Sequence, residues 1–425
     1  MTDGFLAASR RRLLRLTTAG SVDDGKSTLI GRLLNDCDAL TSDQIEALVA
    51  ASPDSEDDLD YARITDGLSA EREQGITIDV AYRYFSTPRR SFILADVPGH
   101  KQYTRNMVTG ASNADAALFV VDVRTGMTSQ TRLHVYIAAL LGIGQAVFAI
   151  NKMDLVDYRE ENYADARAAL EAFCSRLPFS SVQPIPVSAK KGDNVVHKSQ
   201  FMPWYGGPPL LEILEQTPAG SRMLDLPFRL PVQLASRPQS ASAPDFRGYM
   251  GRIASGSVAI GDRITICPSL RESTITSITA PAGPVHEAVA GQSVTVTLAD
   301  QVDVGRGQVL AAADAPPRAA REIRAILCWL DDAPQDPRAP YLVRAGTRMV
   351  PARLKAPDYR IDVDSFSRIE GDQPLAANEI GEVCLRLKDE IAFDAFGDNP
   401  ATGAFIVVDE RTNATVAAGM IEHGI

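Results

Sequence analysis

The stretch Gly20-Ser-Val-Asp-Asp-Gly25-Lys26-Ser27-Thr28 constrains this chain more than any other. It fits Gly-x-x-x-x-Gly-Lys-Ser, the phosphate-binding P-loop pattern. Its flanks are the ones the pattern requires: residues 13–19 read as a short strand, and 27–34 carry apolar residues at helical spacing. A strand, a glycine-bounded loop and a helix start turn successive backbone N–H groups and the positive helix end toward one anion. Gly20 and Gly25 allow the backbone angles that such wrapping needs, with Ser21, Val22, Asp23 and Asp24 between them. Lys26 is expected to reach the β- and γ-phosphates, and the Ser27 hydroxyl to bind Mg²⁺, with Thr28 next in the first turn. The motif specifies a nucleoside triphosphate and leaves the base open.

The base is chosen downstream. Gln145-Ala-Val-Phe-Ala-Ile150 is a largely apolar run, as in a buried parallel strand, and it ends in Asn151-Lys152-Met153-Asp154. A carboxylate there accepts from the N1–H and 2-amino group of guanine. Adenine has no matching donors and leaves the carboxylate unpaired. Asn151 is expected to pin neighbouring loops, and the aliphatic stem of Lys152 to cover the base face. Ile185-Pro-Val187-Ser188-Ala189-Lys190 is a second strand running into small residues. Its N–H groups at Ser188 and Ala189 are expected to donate to the guanine O6.

Between these pieces lie candidates for sensing and cleaving the γ-phosphate. Ser91-Phe-Ile-Leu-Ala-Asp96-Val97-Pro98-Gly99-His100 is a strand ending in Asp-x-x-Gly. Asp96 is expected to hold Mg²⁺ through a water, and the Gly99 N–H to bond the γ-phosphate. His100 follows at the point where a water must be oriented for attack, so His100 and Lys26 are the candidate catalytic residues. His134, His197, His286 and His423 have no such context. Upstream, Glu71-Arg72-Glu73-Gln74-Gly75-Ile76-Thr77-Ile78-Asp79 offers Thr77 as a second hydroxyl ligand of Mg²⁺.

The chain has 425 residues, room for two or three domains. Alternating strands and helices are expected from residue 12 to about 222, as in a doubly wound, mostly parallel sheet, with helices near 129–141, 163–175 and 210–215. From Leu226 the texture changes to short β-rich runs (228–234, 248–253, 263–266, 274–278, 292–298) broken by Gly, Pro and Ser, the pattern of a small antiparallel barrel. Residues 311–318, rich in Ala and Pro, read as a linker to a second all-β block. The expected domains are 1–222, 223–316 and 317–425. Trp204 and Tyr205 read as packing anchors, and the acidic run of residues 54–60 as a solvated loop.

Net charge is −11, which gives no support to a sequence-independent grip on nucleic acid. Five cysteines without Cys-x-x-Cys spacing fit a reducing cytoplasm rather than a structural zinc site. The chain has no uninterrupted apolar run of about 18 residues, so no membrane span is expected.

The order of P-loop, Arg-x-x-Gly-Ile-Thr-Ile, Asp-x-Pro-Gly-His, Asn-Lys-x-Asp and Ser-Ala-Lys resembles translation-factor-type GTPases such as elongation factor Tu. The finer match is to the GTPase subunit of bacterial sulfate adenylyltransferase. It is carried by Gly20–Thr28, by the run from Gly67 to Ser86, by Ile150–Tyr158, by Gly192-Asp-Asn-Val195 and by Met202-Pro-Trp-Tyr-Gly-Gly-Pro-Pro-Leu-Leu211. In the second half, Asp245-Phe-Arg-Gly-Tyr249, Ala254-Ser-Gly256, Asn399-Pro-Ala-Thr-Gly403 and Asn413–Met420 echo it more loosely. The chain departs at Val97, where the family commonly carries Thr, and more widely over residues 330–353.

The resemblance implies an α/β P-loop GTPase domain followed by two small antiparallel β-barrel domains. It implies GTP/GDP and Mg²⁺ as ligands. It also implies a smaller ATP-sulfurylase partner subunit, which holds ATP and sulfate and makes adenosine 5′-phosphosulfate while GTP hydrolysis drives the step. Two alternatives share the nucleotide chemistry: a translation factor carrying aminoacyl-tRNA, and a paralogue serving sulfation in specialised metabolism.

Overall fold

Residues 13–51, 59, 61–64, 79–219, 222–237 and 246–424 are described by a computed structural model. Thr77, the run 54–58 and the basic residues 10–12 lie outside them. The chain forms two compact units, 1–219 and 220–425.

The first unit is a six-stranded sheet in the order β2-β3-β1-β4-β5-β6. The strands are β1 (Leu13–Gly20), β2 (Ala81–Ser86), β3 (Ser91–Asp96), β4 (Ala116–Asp122), β5 (Gln145–Asn151) and β6 (Ser181–Pro186). β2 pairs antiparallel with β3, and the other pairings are parallel. The helices are α1 (Lys26–Asp36), α2 (Ser42–Ala51), α3 (Thr104–Ala111), α4 (Ser129–Leu140), α5 (Glu160–Cys174) and α6 (Leu210–Gln216).

Apolar residues fill both faces of the central strands, because helices cover both. Leu14, Leu16, Leu118, Val120, Val147 and Ala149 pack with Leu29, Leu33, Leu210 and Leu214 of α1 and α6. On the opposite face, Ile150 packs with Tyr163 of α5, and Phe119 stacks on Phe148 with centroids 4.8 Å apart. Two polar contacts fix the margins. The buried Arg90 guanidinium donates to the carbonyls of Leu214, Glu215 and Thr217, the orphan acceptors at the end of α6. At edge strand β6, the Tyr163 hydroxyl donates to the Pro184 carbonyl (3.0 Å) and the Asn194 amide to the Pro186 carbonyl (3.0 Å).

The second unit holds two closed six-stranded antiparallel barrels. The first closes in the order Arg263–Cys267, Val309–Ala312, Arg229–Ser236, Gly248–Arg252, Ser293–Leu298, Arg271–Ala280 and back. The second closes in the order Tyr341–Ala345, Ala404–Asp409, Thr415–Gly424, Arg318–Trp329, Ile380–Phe393, Arg348–Ile361 and back. The expected linker is shorter than the sequence suggests. Ala311 and Ala312 belong to a strand of the first barrel, and Arg318 already begins the second. Ala311 is fully buried and pairs with Arg229 and Thr265, on the face opposite the one that Leu310 gives to the barrel core, so its small side chain belongs to a packed strand rather than to a hinge.

A buried ion pair joins the two barrels. Arg229 Nε and Nη2 donate to Asp394 Oδ2 and Oδ1, both at 2.9 Å, and Thr402 Oγ1 donates to the same carboxylate at 2.6 Å. Beside it, Asn399 Nδ2 donates to Ser255 Oγ (2.8 Å), which donates to the Pro227 carbonyl (2.7 Å). These contacts explain the Ala-Ser-Gly and Asn-Pro-Ala-Thr-Gly signatures, which lie far apart in sequence and meet here. Asp394→Ala leaves the Arg229 guanidinium buried and unpaired, at a cost of about 3–5 kcal/mol. The expected result is a lowered urea midpoint for the second unit. The double variant Arg229→Met/Asp394→Leu should recover most of the loss, and a midpoint unchanged in Asp394→Ala would refute the assignment.

Candidate functional site

The parallel pairing brings the carboxyl ends of β1, β3, β4 and β5 to one edge of the sheet. Thr18 lies opposite Asp96, and Asp122 opposite Asn151. The chain leaving β1 returns to β3 on one side, and the chain leaving β4 runs to β5 on the other. That divergence opens a crevice above β1, where open α/β sheets bind their ligands.

The P-loop fills this crevice. Gly20 ends β1 so close to β4 that a Cβ there would lie 2.8 Å from the Val120 carbonyl oxygen. Asp23 and Gly25 both take left-handed backbone angles, φ 68° and 90°, and α1 begins directly after Gly25 with no side-chain cap and no acidic residue in its first turn. The N-terminus of α1 therefore keeps its positive character for an anion. Inside the loop, the buried Asp24 carboxylate accepts from Ser21 N at 2.9 Å. Burial pushes this carboxyl up to about 6, against the pull of the Ser21 N–H.

Asn151 ties this loop to the next. Its Nδ2 donates to the Asp24 carbonyl and its Oδ1 accepts from Ala189 N, both at 2.9 Å. A side chain at position 25 would overlap that Nδ2, so Gly25 is required by the contact as well as by its φ. Lys152, itself left-handed at φ 64°, extends its ammonium to the Asp23 carbonyl and to Asp122 Oδ2 at 3.0 Å. Asp154, in a short 3₁₀ turn, accepts from the Ser188 hydroxyl at 2.6 Å. The structure corrects one expectation here. The N–H of Ser188 donates to the Asp193 carbonyl and that of Ala189 to Asn151, so both are engaged inside the protein rather than available to a base oxygen. Ser188 enters the site through its hydroxyl. Lys190 is exposed, and its carbonyl accepts from Arg32 of α1.

At the start of α1, the Lys26 ammonium contacts Asp96 Oδ1, and both groups are buried. Thr18 Oγ1 lies 3.4 Å from the same oxygen. Asp96 Oδ2 is fully buried and has no hydrogen-bond partner among the described residues. An orphaned carboxylate oxygen in a phosphate crevice suits Mg²⁺ or a water bound to it, so this donor set fits the ion. Gly99 lies against the P-loop, where a Cβ would come within 2.7 Å of the Gly20 carbonyl oxygen. Val97 is buried, and a Cβ on Gly110 would overlap it, so its side chain serves packing. The His100 Nδ1 accepts from Gln102 N at 3.3 Å, which puts the proton of the neutral ring on Nε2. Ser27 and Thr28 are half-buried in the first turn of α1.

Sequence reading missed Asp122. It ends the apolar strand β4 just as Asp96 ends β3 and Asn151 ends β5, and the same reasoning applied to a third strand finds it. Arg124 grips it through Nε at 3.0 Å and Nη2 at 2.6 Å. Burial opposes the Asp122 charge, but Arg124 and Lys152 outweigh it and bring the carboxyl down to about 2. His134 was also passed over. It is fully buried on α4, and neither ring nitrogen has a hydrogen-bond partner among the described residues.

Burial, with the Lys26 charge in support, lowers the His134 pKa from 6.5 to about 4. Above pH 6.5 the ring is neutral in folded and unfolded chains alike. Between 6.5 and about 4 only the unfolded chain binds the proton, so stability falls with pH by about 1.4 kcal/mol per unit. Below that window the loss is complete. His134→Leu should flatten this limb, and melting curves at pH 7 and pH 5 test it. An identical pH 5 loss in the variant would refute the assignment.

Comparison with known proteins adds the following. The model of the elongation factor Tu GTP-binding domain matches residues 11–220, and that of the GTP-eEF1A C-terminal domain-like family matches 322–422. A protein of Tolumonas auensis named sulfate adenylyltransferase subunit 1 is 45% identical over 98% of this chain and 88% of its own length. The bifunctional enzyme CysN/CysC of Mycobacterium tuberculosis is 49% identical over 96% of this chain and 67% of its own. The bifunctional enzyme NodQ of Rhizobium sp. (strain N33) is 46% identical over 100% and 66%. The chain thus spans about two thirds of the length of the bifunctional relatives it matches. Among the described residues, no helix is long and apolar enough to cross a membrane.

Proposed function

The chain belongs to the sulfate adenylyltransferase subunit 1 family of elongation-factor-Tu-type GTPases, and from that premise we propose that it is the GTP-hydrolysing, energy-coupling subunit of a heteromeric sulfate adenylyltransferase. In this reading a smaller partner subunit holds ATP and sulfate and forms adenosine 5′-phosphosulfate and pyrophosphate. The sulfate–phosphate anhydride is hard to form, and hydrolysis of a second nucleotide drives it. The supporting observation is the buried Asn151 amide, which joins the P-loop to the loop whose Ser188 hydroxyl holds Asp154.

The residues divide the work. The Asp154 carboxylate, held by the Ser188 hydroxyl, accepts from the guanine N1–H and 2-amino group. Lys152 covers the base face. The Lys26 ammonium and the N–H groups of the P-loop and α1 neutralise the β- and γ-phosphates. Ser27, Thr77 and Asp96 are the candidate holders of Mg²⁺, Asp96 through a water. When bound, the ion supplies charge neutralisation to the phosphates. The Gly99 N–H contacts the γ-phosphate and so distinguishes GTP from GDP. His100, donating from Nε2, orients the attacking water.

Three experiments test this reading. Asp154→Asn should weaken GTP and favour xanthosine nucleotides, whose 2-oxo group suits an amide donor, and His100→Ala should lower turnover while leaving GTP binding largely intact. Equal wild-type affinity for ATP and GTP in a titration, or wild-type turnover by His100→Ala in the activated complex, would refute the corresponding assignment. For coupling, the isolated chain should hydrolyse GTP slowly and make no adenosine 5′-phosphosulfate. With the small subunit, ATP and sulfate present, GTP should raise product above the level reached with a non-hydrolysable analogue. Equal yields would end the coupling claim, and product from this chain by itself would overturn the division of labour.

A further inference from the structure

Asp122 has no part in the steps above, yet it is held by two cations at the base end of the site. It closes β4 with its Cα opposite that of Asn151, and its side chain is 4% exposed. Its Oδ2 lies 3.0 Å from Lys152 Nζ and 2.6 Å from Arg124 Nη2. Its Oδ1 accepts from Arg124 Nε at 3.0 Å and from Arg124 N at 2.9 Å. A two-point grip by a guanidinium fixes a carboxylate in plane as well as in place. Held this way, Asp122 presents Oδ2 to the lysine as a stationary anchor.

Lysine is otherwise a poor choice for a wall. Its stem has four carbons and many rotamers, and ordering it opposes any binding that needs it ordered. Here both ends are fixed before a ligand arrives. The backbone of Lys152 is set in the left-handed region at φ 64°, and the ammonium is held by Asp122 and by the Asp23 carbonyl of the P-loop. The stem between those ends is what the guanine reading assigns to the face of the base.

We propose that Asp122 is a positioning residue for the guanine nucleotide: clamped by Arg124, it locks the Lys152 stem as one wall of the base pocket and ties that wall to the P-loop. The proposal rests on the guanine reading above. A preordered methylene wall packs against any purine face, so Asp122 governs how long the nucleotide stays and not which base is chosen. Choice belongs to Asp154. That separation gives the proposal a signature that mere loss of stability lacks.

The test is a double-mutant cycle on release of a fluorescent GDP analogue, with GDP, IDP and ADP as competitors. Asp122→Asn and Lys152→Met should each speed release about tenfold or more. The double variant should be no more than about twofold worse than the weaker single one. In Asp122→Asn the GDP-to-IDP affinity ratio should stay at the wild-type value, whereas in Asp154→Asn it should collapse. Multiplying effects in the double variant, release from Asp122→Asn within about twofold of wild type, or a shifted GDP-to-IDP ratio would each overturn the proposal. Should Asp122→Asn fail to fold, Arg124→Met carries the test from a half-exposed side chain. It should speed release about threefold in the wild-type background and leave Lys152→Met unchanged, and equal effects in both backgrounds would overturn the proposal. If the wild type binds ADP as tightly as GDP, the guanine reading itself falls, independently of how the cycle closes.

Discussion

One amide side chain sets the distance on which the nucleotide site depends. Asn151 gives its N–H to the P-loop at Asp24 and takes an N–H from the loop after β6 at Ala189. Each loop is also braced from within, the P-loop by the Asp24 carboxylate on Ser21 N and the other by Ser188 N on the Asp193 carbonyl. Joined through a buried group at the end of β5, they become one surface whose two ends keep a fixed spacing. The constraint spreads to its neighbours: position 25 must lack a side chain, and Met153 and the following turn are drawn under the loop, with Met153 N bonded to the Val187 carbonyl.

The sheet makes that tether possible. Parallel strands deliver Asp96, Asp122 and Asn151 to one edge, with Asp96 opposite Thr18 and Asp122 opposite Asn151, so polar side chains from three strands line it without a long loop between them. Burial then makes each one consequential. Lys26 and Asp96 are removed from water together, and Asp122 is held by Arg124 and Lys152. In the second unit the same economy appears as a single bidentate pair, Arg229 with Asp394, supported by Thr402. In each place a buried charge is tolerated because its partner is fixed by the backbone.

Much of this was legible in the sequence, because local chemistry carries it. The P-loop, β1 and α1 follow from glycine spacing and apolar periodicity, and the strands ending in Asp96 and Asn151 from apolar runs with polar ends. The barrels followed from turn residues, but not their closure or the length of the connection between them. Ala311 and Ala312 look like linker by composition and are strand by pairing, a difference that only cross-strand partners decide. Arg229 and Asp394 are 165 positions apart, and neither has a local pattern to mark it. His134 sits on an ordinary helical face, where burial without a partner leaves no trace in the sequence. The N–H groups of Ser188 and Ala189 were misassigned for a related reason: the return bond from Asp193 and the reach of Asn151 are matters of turn geometry.

The margin of the sheet at β6 carries a different consequence. Val187 N bonds inward to the Ile150 carbonyl, so alternate residues of β6 turn their peptide groups outward, and two of those are Pro184 and Pro186. Proline offers no N–H to an incoming strand, and the outward carbonyls of these two already accept from Tyr163 and Asn194. Over this stretch a neighbouring chain finds neither donor nor acceptor. The sheet is therefore blunted against edge-to-edge growth at the strand next to the one that ends in Asn151, and crowded copies of the protein have no template there for aggregation.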